Sequence, residues 1–371
     1  MKIQVHPQPQ SLLNAFMVMF IIHSVQLGVG VQGFQRIIYV DAGHDAWISV
    51  ILSGVVTCVV GFVMVKTLNY YESSDIYGIQ EDVYGKWLGT CMNALYVIYS
   101  MGAFLVVLRN YIEVLQAWVF PEVPTWFISL TILMLVLYGV LGGFRIIAGV
   151  SFFSVFLSFW LLSLLGYPVQ FSHWSNLLPI LEAKATEILK GAYSMTFTVI
   201  GFELIYSFYP FIKEKRNVQK YMQIGLLYTT LLYVAVMIIS LSYFSGGQLE
   251  RTIWGSLSLF KIVRLPFIER FEYVAITFWL LIILPNLMLY LWSASRGLAR
   301  IFGKKKTKGM TWGLALILFG SIQIFVTRQQ INQLNNYFAQ IAFIVVYCYP
   351  LLLFLLVWIK RKIFRKEEVK S

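Results

Sequence analysis

Leu27-Gly28-Val29-Gly30 lies in the middle of the first apolar segment, residues 12–40. That segment is long enough to cross a bilayer. Glycine is a poor helix former, and two glycines one residue apart invite the helix to unwind. Unwound backbone at membrane depth exposes N–H groups that lipid cannot satisfy. It is tolerated where it is buried in protein or lines a water-filled cavity, as in transporters built from inverted repeats with broken helices. The same glycines also suit a close helix-packing face. The stretch alone does not separate the two. A broken first helix predicts a second break at the matching place in the other half of the chain.

Composition sets the class. The chain has 371 residues, 59% of them hydrophobic and only 12% charged. Soluble domains carry about twice that charge share. Mean hydropathy is +0.73, and aromatics reach 17%, as helix packing and interfacial belts require. No soluble domain fits between the apolar runs, so residues 1–371 form a single integral-membrane domain. Residues 1–10 lack the positive n-region and cleavage site of a signal peptide and read as a mature start. Cys58, Cys91 and Cys348 are scattered through apolar spans; they are read as buried small side chains rather than a disulfide or metal framework.

Hydropathy divides the chain into ten spans, at about 12–40, 46–66, 87–118, 124–141, 146–166, 189–211, 223–244, 271–291, 310–327 and 337–359. With the N-terminus inside, 20 of the 29 Lys and Arg fall on the inner side. They include the clusters at 213–220, 300–308 and 360–370. Both termini are then cytoplasmic, and 360–371 is a basic cytoplasmic tail. The net charge of +12 therefore reflects the positive-inside rule and not nucleic-acid recognition. Residues 69–85 can form a short surface helix, 139–145 a tight turn, and 245–270 an interfacial helix.

Ten spans split into five plus five, with repeats at about 11–166 and 188–360. Span six is then the partner of span one. It contains Phe197-Thr198-Val199-Ile200-Gly201-Phe202-Glu203: hydroxyls, a glycine at mid-depth, then an acid. A carboxylate inside a span is costly and usually functional. The matched glycine favours broken helices over packing faces.

These residues resemble a known superfamily. Leu27 to Val31 is similar to the Gly-x-Gly of span one in the amino acid–polyamine–organocation superfamily. Phe197 to Glu203 is similar to its span-six pattern, Phe-x-x-x-Gly-Phe-Glu/Asp. Within that superfamily the chain resembles the GerAB-type spore germination permeases, the B subunits of spore nutrient germinant receptors. Gly85-Lys86-Trp87-Leu88-Gly89, Ile268-Glu269-Arg270-Phe271-Glu272 and the basic tail carry this likeness, which spans essentially the whole chain. It implies an all-α polytopic membrane protein of ten transmembrane helices in a LeuT-like 5+5 inverted repeat, with helices 1 and 6 broken. It also implies a multi-pass protein of the inner spore membrane or cell membrane, working with a receptor A subunit and a lipoprotein C subunit.

The expected ligand is a small germinant such as an amino acid. Freed N–H groups around Gly28, Val29 and Gly30 would take a carboxylate at the positive end of a half-helix. Carbonyls near Phe197, Val199 and Ile200, with those of span one, would take an ammonium. Gln26, Leu27, Gly201, Tyr96, Tyr99 and Asn286 complete the expected substrate site, with a small, apolar side-chain pocket; Tyr96 and Tyr99 face either that site or a neighbouring helix, and a buried Tyr hydroxyl needs a partner in either case. Glu203, Glu269, Arg270 and Glu272 are expected to be structural or coupling groups. Glu203 either touches the ligand or pairs with a helix end or polar neighbour and so holds the broken helix, and His23 is read equally as a satisfied core histidine or a proton carrier. Arg109 and Glu113, four apart, are expected to pair with each other.

Span five holds no lysine, which weighs against the lysine-dependent members of the superfamily; a sodium site is neither shown nor excluded. No paired carboxylates, Cys/His cluster or nucleophile–base arrangement suggests an enzyme, a cofactor or a metal. Three functions stay open: a germinant sensor that triggers spore germination, a proton- or sodium-coupled amino acid permease, and a membrane scaffold with a vestigial pocket.

Overall fold

The computed structural model describes residues 4–263, 270–304 and 306–368, the last five by backbone alone. The first half runs α1 (Met17–Gln26), α2 (Phe34–Ala42), α3 (Ala46–Asn69), α4 (Ile76–Trp118), α5 (Thr125–Leu141), α6 (Phe144–Ser163) and the short α7 (Gly166–Gln170). The second runs α8 (Ala185–Thr196), α9 (Ile205–Phe208), α10 (Lys215–Tyr243), α11 (Gly246–Arg251), α12 (Gly255–Phe260), α13 (Phe271–Ile301), α14 (Lys308–Ile322), α15 (Arg328–Phe343) and α16 (Tyr349–Glu368). Among the described residues these make ten crossings. Span one is α1 plus α2, span six is α8 plus α9, and span ten is α15 plus α16 across a π-helical turn at Ile344–Cys348. Six stretches are individually long and apolar enough to cross a membrane, with Met17–Gln26, Thr125–Leu141 and Lys308–Ile322 as shorter apolar helices.

Local chemistry sets the boundaries. Asp75 caps α4 by accepting from the Gly78 N–H at 3.0 Å. Gly85, at φ 78°, then separates the expected surface helix from span three. Gly143, at φ 91°, makes the tight turn into α6. Thr327 and Gln330 form a capping box that starts α15 well before residue 337. Residues 245–263 hold two short helices, α11 and α12, rather than one.

α13 is the hub. It packs against α4, α6, α1, α5 and α14, and 72% of its apolar window is buried. The end of the bundle that carries the basic clusters is closed by ion pairs. Arg296 holds Asp75 at 2.8 Å, Arg300 holds Glu81 at 2.8 Å, and Lys360 holds Asp82 at 2.8 Å. There the approach to α1 and the exit from span six also join. Leu13 N–H donates to the Phe211 carbonyl at 2.8 Å, and Lys213 N–H to the Leu13 carbonyl at 2.9 Å.

Two expectations are corrected. Cys91 and Cys348 are exposed and Cys58 is half-buried; an apolar neighbourhood in a membrane protein marks a lipid-facing surface as readily as a core. Arg109 does not pair with Glu113. Its guanidinium donates to the carbonyls of Phe325 and Val326, while Glu113 meets Arg328.

Candidate functional site: the cavity between two broken helices

The site begins with backbone hydrogen bonds that have no helix to close them. α1 ends at Gln26; Gly28 is extended (φ −91°, ψ −163°), and a 3-10 turn, Val29–Gln32, leads to Gly33 and α2. The carbonyls released at the end of α1 find side chains. Asn286 Nδ2 donates to the Val25 carbonyl at 2.6 Å, the Tyr233 hydroxyl to that of Gln26 at 2.9 Å, and Trp279 Nε1 to that of Gly28 at 3.4 Å. α10 and α13 thus hold the first break open.

Span six breaks opposite it. α8 ends at Thr196, a turn follows, and Gly201 stands at φ 115° before the 3-10 turn Phe202–Leu204. The two breaks touch. A Cβ on Gly201 would sit 2.6 Å from the Val25 carbonyl oxygen, and one on Gly30 would sit 2.9 Å from Thr198 Cγ2. Gln26 Nε2 crosses between them to the Val199 carbonyl at 2.9 Å.

Glu203 pins the sixth break from behind. It is 1% exposed. Its Oε2 accepts from the Gly201 N–H at 2.7 Å; its Oε1 accepts from the hydroxyls of Tyr99 at 2.8 Å and Tyr290 at 2.9 Å. The Tyr96 hydroxyl donates to the Glu203 carbonyl at 3.4 Å. His23 is buried with Nδ1 2.8 Å from the Thr229 hydroxyl.

Between the breaks lies a cavity of about 660 Å³, lined by residues of both broken spans and of α4, α13 and α15. It reaches Gly28, Val29, Gly30, Phe197, Ile200 and Asn286. Asn286 Oδ1 is buried there without a hydrogen-bond partner. The first N–H groups of the Val29–Gln32 turn have no acceptor within that turn. The other expected site residues stand behind the wall. Tyr96 and Tyr99 point at Glu203, not at the cavity; Val199 has its carbonyl taken by Gln26; and Gly201 packs on Val25. Gln26 and Leu27 are buried and do not line the cavity.

The cavity is larger and more polar than the small apolar pocket expected. Asn332, Asn335, Asn336 and Gln340 of α15 line it, with Asn110 of α4. Asn110 and Asn335 exchange amide hydrogen bonds at 2.8 and 2.9 Å. Arg328 and Trp254 stand at the rim, the guanidinium 5.1 Å from the ring centroid. The amide wall had a sequence signal. Residues 332, 335, 336 and 340 recur at helical spacing, so they share one face. Starting span ten at 337 hid it. Of the group before span eight, Arg270 meets Glu272 at 3.2 Å and lies over the Tyr273 ring; Glu269 lies outside the described residues.

A helical membrane bundle with spans one and six broken around a central cavity defines the LeuT-like transporter fold. The structure is similar to that of a Na⁺-coupled sialic acid symporter in a substrate-bound outward-open state. The TM-score is 0.58 at 10% sequence identity, covering 93% of this chain and 76% of that one, so the likeness concerns the fold alone. Sequence narrows the class further. Residues 12–336 match the spore germination protein family. The chain is 39% identical to spore germination protein GerQB of Bacillus cereus over 355 residues, covering 95% of this chain and 98% of that protein. It is 25% identical to spore germination protein A2 of Bacillus subtilis (strain 168) over 363 residues. The chain belongs to the spore germination protein family, as a multi-pass membrane protein.

Proposed function

We propose that this chain is the germinant-binding membrane subunit of a spore nutrient receptor, and that its ligand, a small amino acid or similar nutrient, sits between the two breaks. The observation that carries this is the cavity, which brings backbone of both broken spans to one volume. The N–H groups at Val29 and Gly30 suit a carboxylate, since both the turn and α2 present their positive ends. The carbonyl end of α8 and the free Asn286 Oδ1 suit an ammonium. The amide wall of α15 suits polar atoms further out.

Binding would favour one arrangement of the two halves, residues 11–166 and 188–360, over another. That change would pass to an A subunit and a lipoprotein C subunit in the inner spore membrane, with the basic-rich end and both termini in the cytoplasm. The relatives are germination proteins over their whole length, which supports signalling as the output.

The test uses spores whose one nutrient receptor contains this chain, exposed to a panel of single amino acids and nucleosides. Germination by one of them, lost in Gly28→Ala spores with normal receptor levels, is the expected result. Germination unchanged by Gly28→Ala refutes the placement of the ligand. Accumulation of a radiolabelled amino acid by liposomes holding this chain alone would instead make it a coupled permease.

A further inference from the structure

We propose that Glu203 is a proton-binding site that exchanges with the cavity through the Tyr290 hydroxyl, so that protonation and the geometry of the sixth-span break are linked. The inference rests on the cavity and the break, not on the identity of the ligand.

The argument starts from charge balance. Glu203 is buried, and among the described residues it forms no salt bridge. The titratable groups that face it are Tyr96 and Tyr99 from α4, Tyr290 from α13 and Tyr347 from the π-helical turn. All four are neutral phenols. An ionised carboxylate there has three donors but no positive charge, and uncompensated charge in a low-dielectric interior is costly. A proton removes that charge.

It also removes an acceptor. The ionised group accepts three hydrogen bonds, from Tyr99, Tyr290 and the Gly201 N–H. A carboxylic acid must donate one and accepts fewer. If the proton lands on Oε2, the Gly201 N–H loses its partner at the point where the backbone turns through φ 115°. If it lands on Oε1, the two phenols must reorient. In either case the pin that holds the break changes.

The route is short. Tyr290 lines the cavity, whereas Tyr99 does not. A proton carried by cavity water passes to the Tyr290 oxygen as the Tyr290 hydroxyl proton passes to Oε1. The phenol stays neutral, one O–H bond breaks for each that forms, and one proton is gained by Glu203. A competing route leads to the basic-rich end. There Tyr96 contacts Ser207, Ser207 Oγ lies 2.6 Å from Ser293 Oγ, and Tyr77 reaches Ser293 Oγ at 3.1 Å, near Asp75.

The test is infrared difference spectroscopy of the purified chain in lipid nanodiscs, stepped from mildly alkaline to mildly acidic solution. A carboxylic-acid carbonyl band is expected to appear in the wild type and to be absent in Glu203→Gln. It should shift in Tyr99→Phe and in Tyr290→Phe, each of which removes one donor to Oε1 while keeping the ring. These two variants carry the assignment should Glu203→Gln fail to fold. The band should also rise more slowly in Tyr290→Phe, by about a hundred-fold or more, since a positioned proton-transfer group contributes roughly that much. It should rise at the wild-type rate in Tyr77→Phe. The proposal is overturned if no acid band responds to either phenol substitution, or if Tyr77→Phe rather than Tyr290→Phe slows it. A failure of amino acids to bind leaves these spectra as they are, so the two readings fail separately.

Discussion

Gly28 and Gly201 stand at the two breaks, yet an added methyl group should do opposite things at each. Gly28 has φ −91°, which any residue adopts, and a Cβ there would have the Gly30 nitrogen at 4.0 Å as its nearest neighbour. Gly28→Ala should therefore be neutral, or stabilising by about 0.4–1 kcal/mol through the unfolded chain. Its methyl would stand in the cavity, where a ligand must approach the backbone. Gly201 has φ 115°, and its Cβ would lie 2.6 Å from the Val25 carbonyl oxygen and 3.0 Å from the Val25 carbonyl carbon. Those are backbone atoms, and the Val25 carbonyl is itself fixed by Asn286. The strained dihedral costs about 1–3 kcal/mol, and overpacking adds about 1–3 kcal/mol. The assay is the melting temperature of each purified variant in nanodiscs, alone and with each amino acid that stabilises the wild type. Gly28→Ala should melt with the wild type and lose the ligand-dependent increase. Gly201→Ala should melt several degrees lower. Equal destabilisation by the two, or a full ligand response in Gly28→Ala, would refute this account of the breaks.

Asp75→Ala should lower stability by about 3–5 kcal/mol, because it leaves the half-buried Arg296 uncompensated and uncaps α4; Asp75→Asn, which keeps the cap, should recover part of that loss in the same melting assay. Gly225→Ala should cost about 1–3 kcal/mol, since its Cβ would meet the Met19 carbonyl oxygen of α1 at 2.8 Å; a wild-type melting temperature would show that α1 and α10 do not pack this closely. Asn335→Leu removes the partner of Asn110 at the wall of the cavity. It should cost no more than about 1–3 kcal/mol but abolish the ligand-dependent rise in melting temperature, and a retained rise would place the ligand away from α15.

Much of the architecture was legible because each signal is local. A run of about 20 apolar residues marks a crossing, basic clusters mark its ends, and Gly28, Gly30 and Gly201 mark where a crossing cannot stay helical. Other features were hidden because they join distant positions. Glu203 is held by Tyr99 and Tyr290, more than 80 residues away on either side, and nothing near any of the three announces it. From sequence, Tyr96 and Tyr99 face either the site or a neighbouring helix; rotation of α4 aims them at Glu203 of span six. Cys91 and Cys348 were read as buried because their neighbours are apolar.

By itself the amino-acid sequence determined the ten-span helical fold, its two interruptions and the family to which it belongs. The fold and its interruptions follow from the cost of unpaired backbone or charge in lipid, which can be read residue by residue; the family follows from the sequence match over residues 12–336. Which face of each helix looks inward was decided by tertiary packing alone. Lipid and protein interior are both apolar, so hydrophobic periodicity does not tell one side of a membrane helix from the other. Contacts across the bundle therefore chose Asn286 as the clamp on Val25 and four tyrosines as the setting of one buried carboxylate.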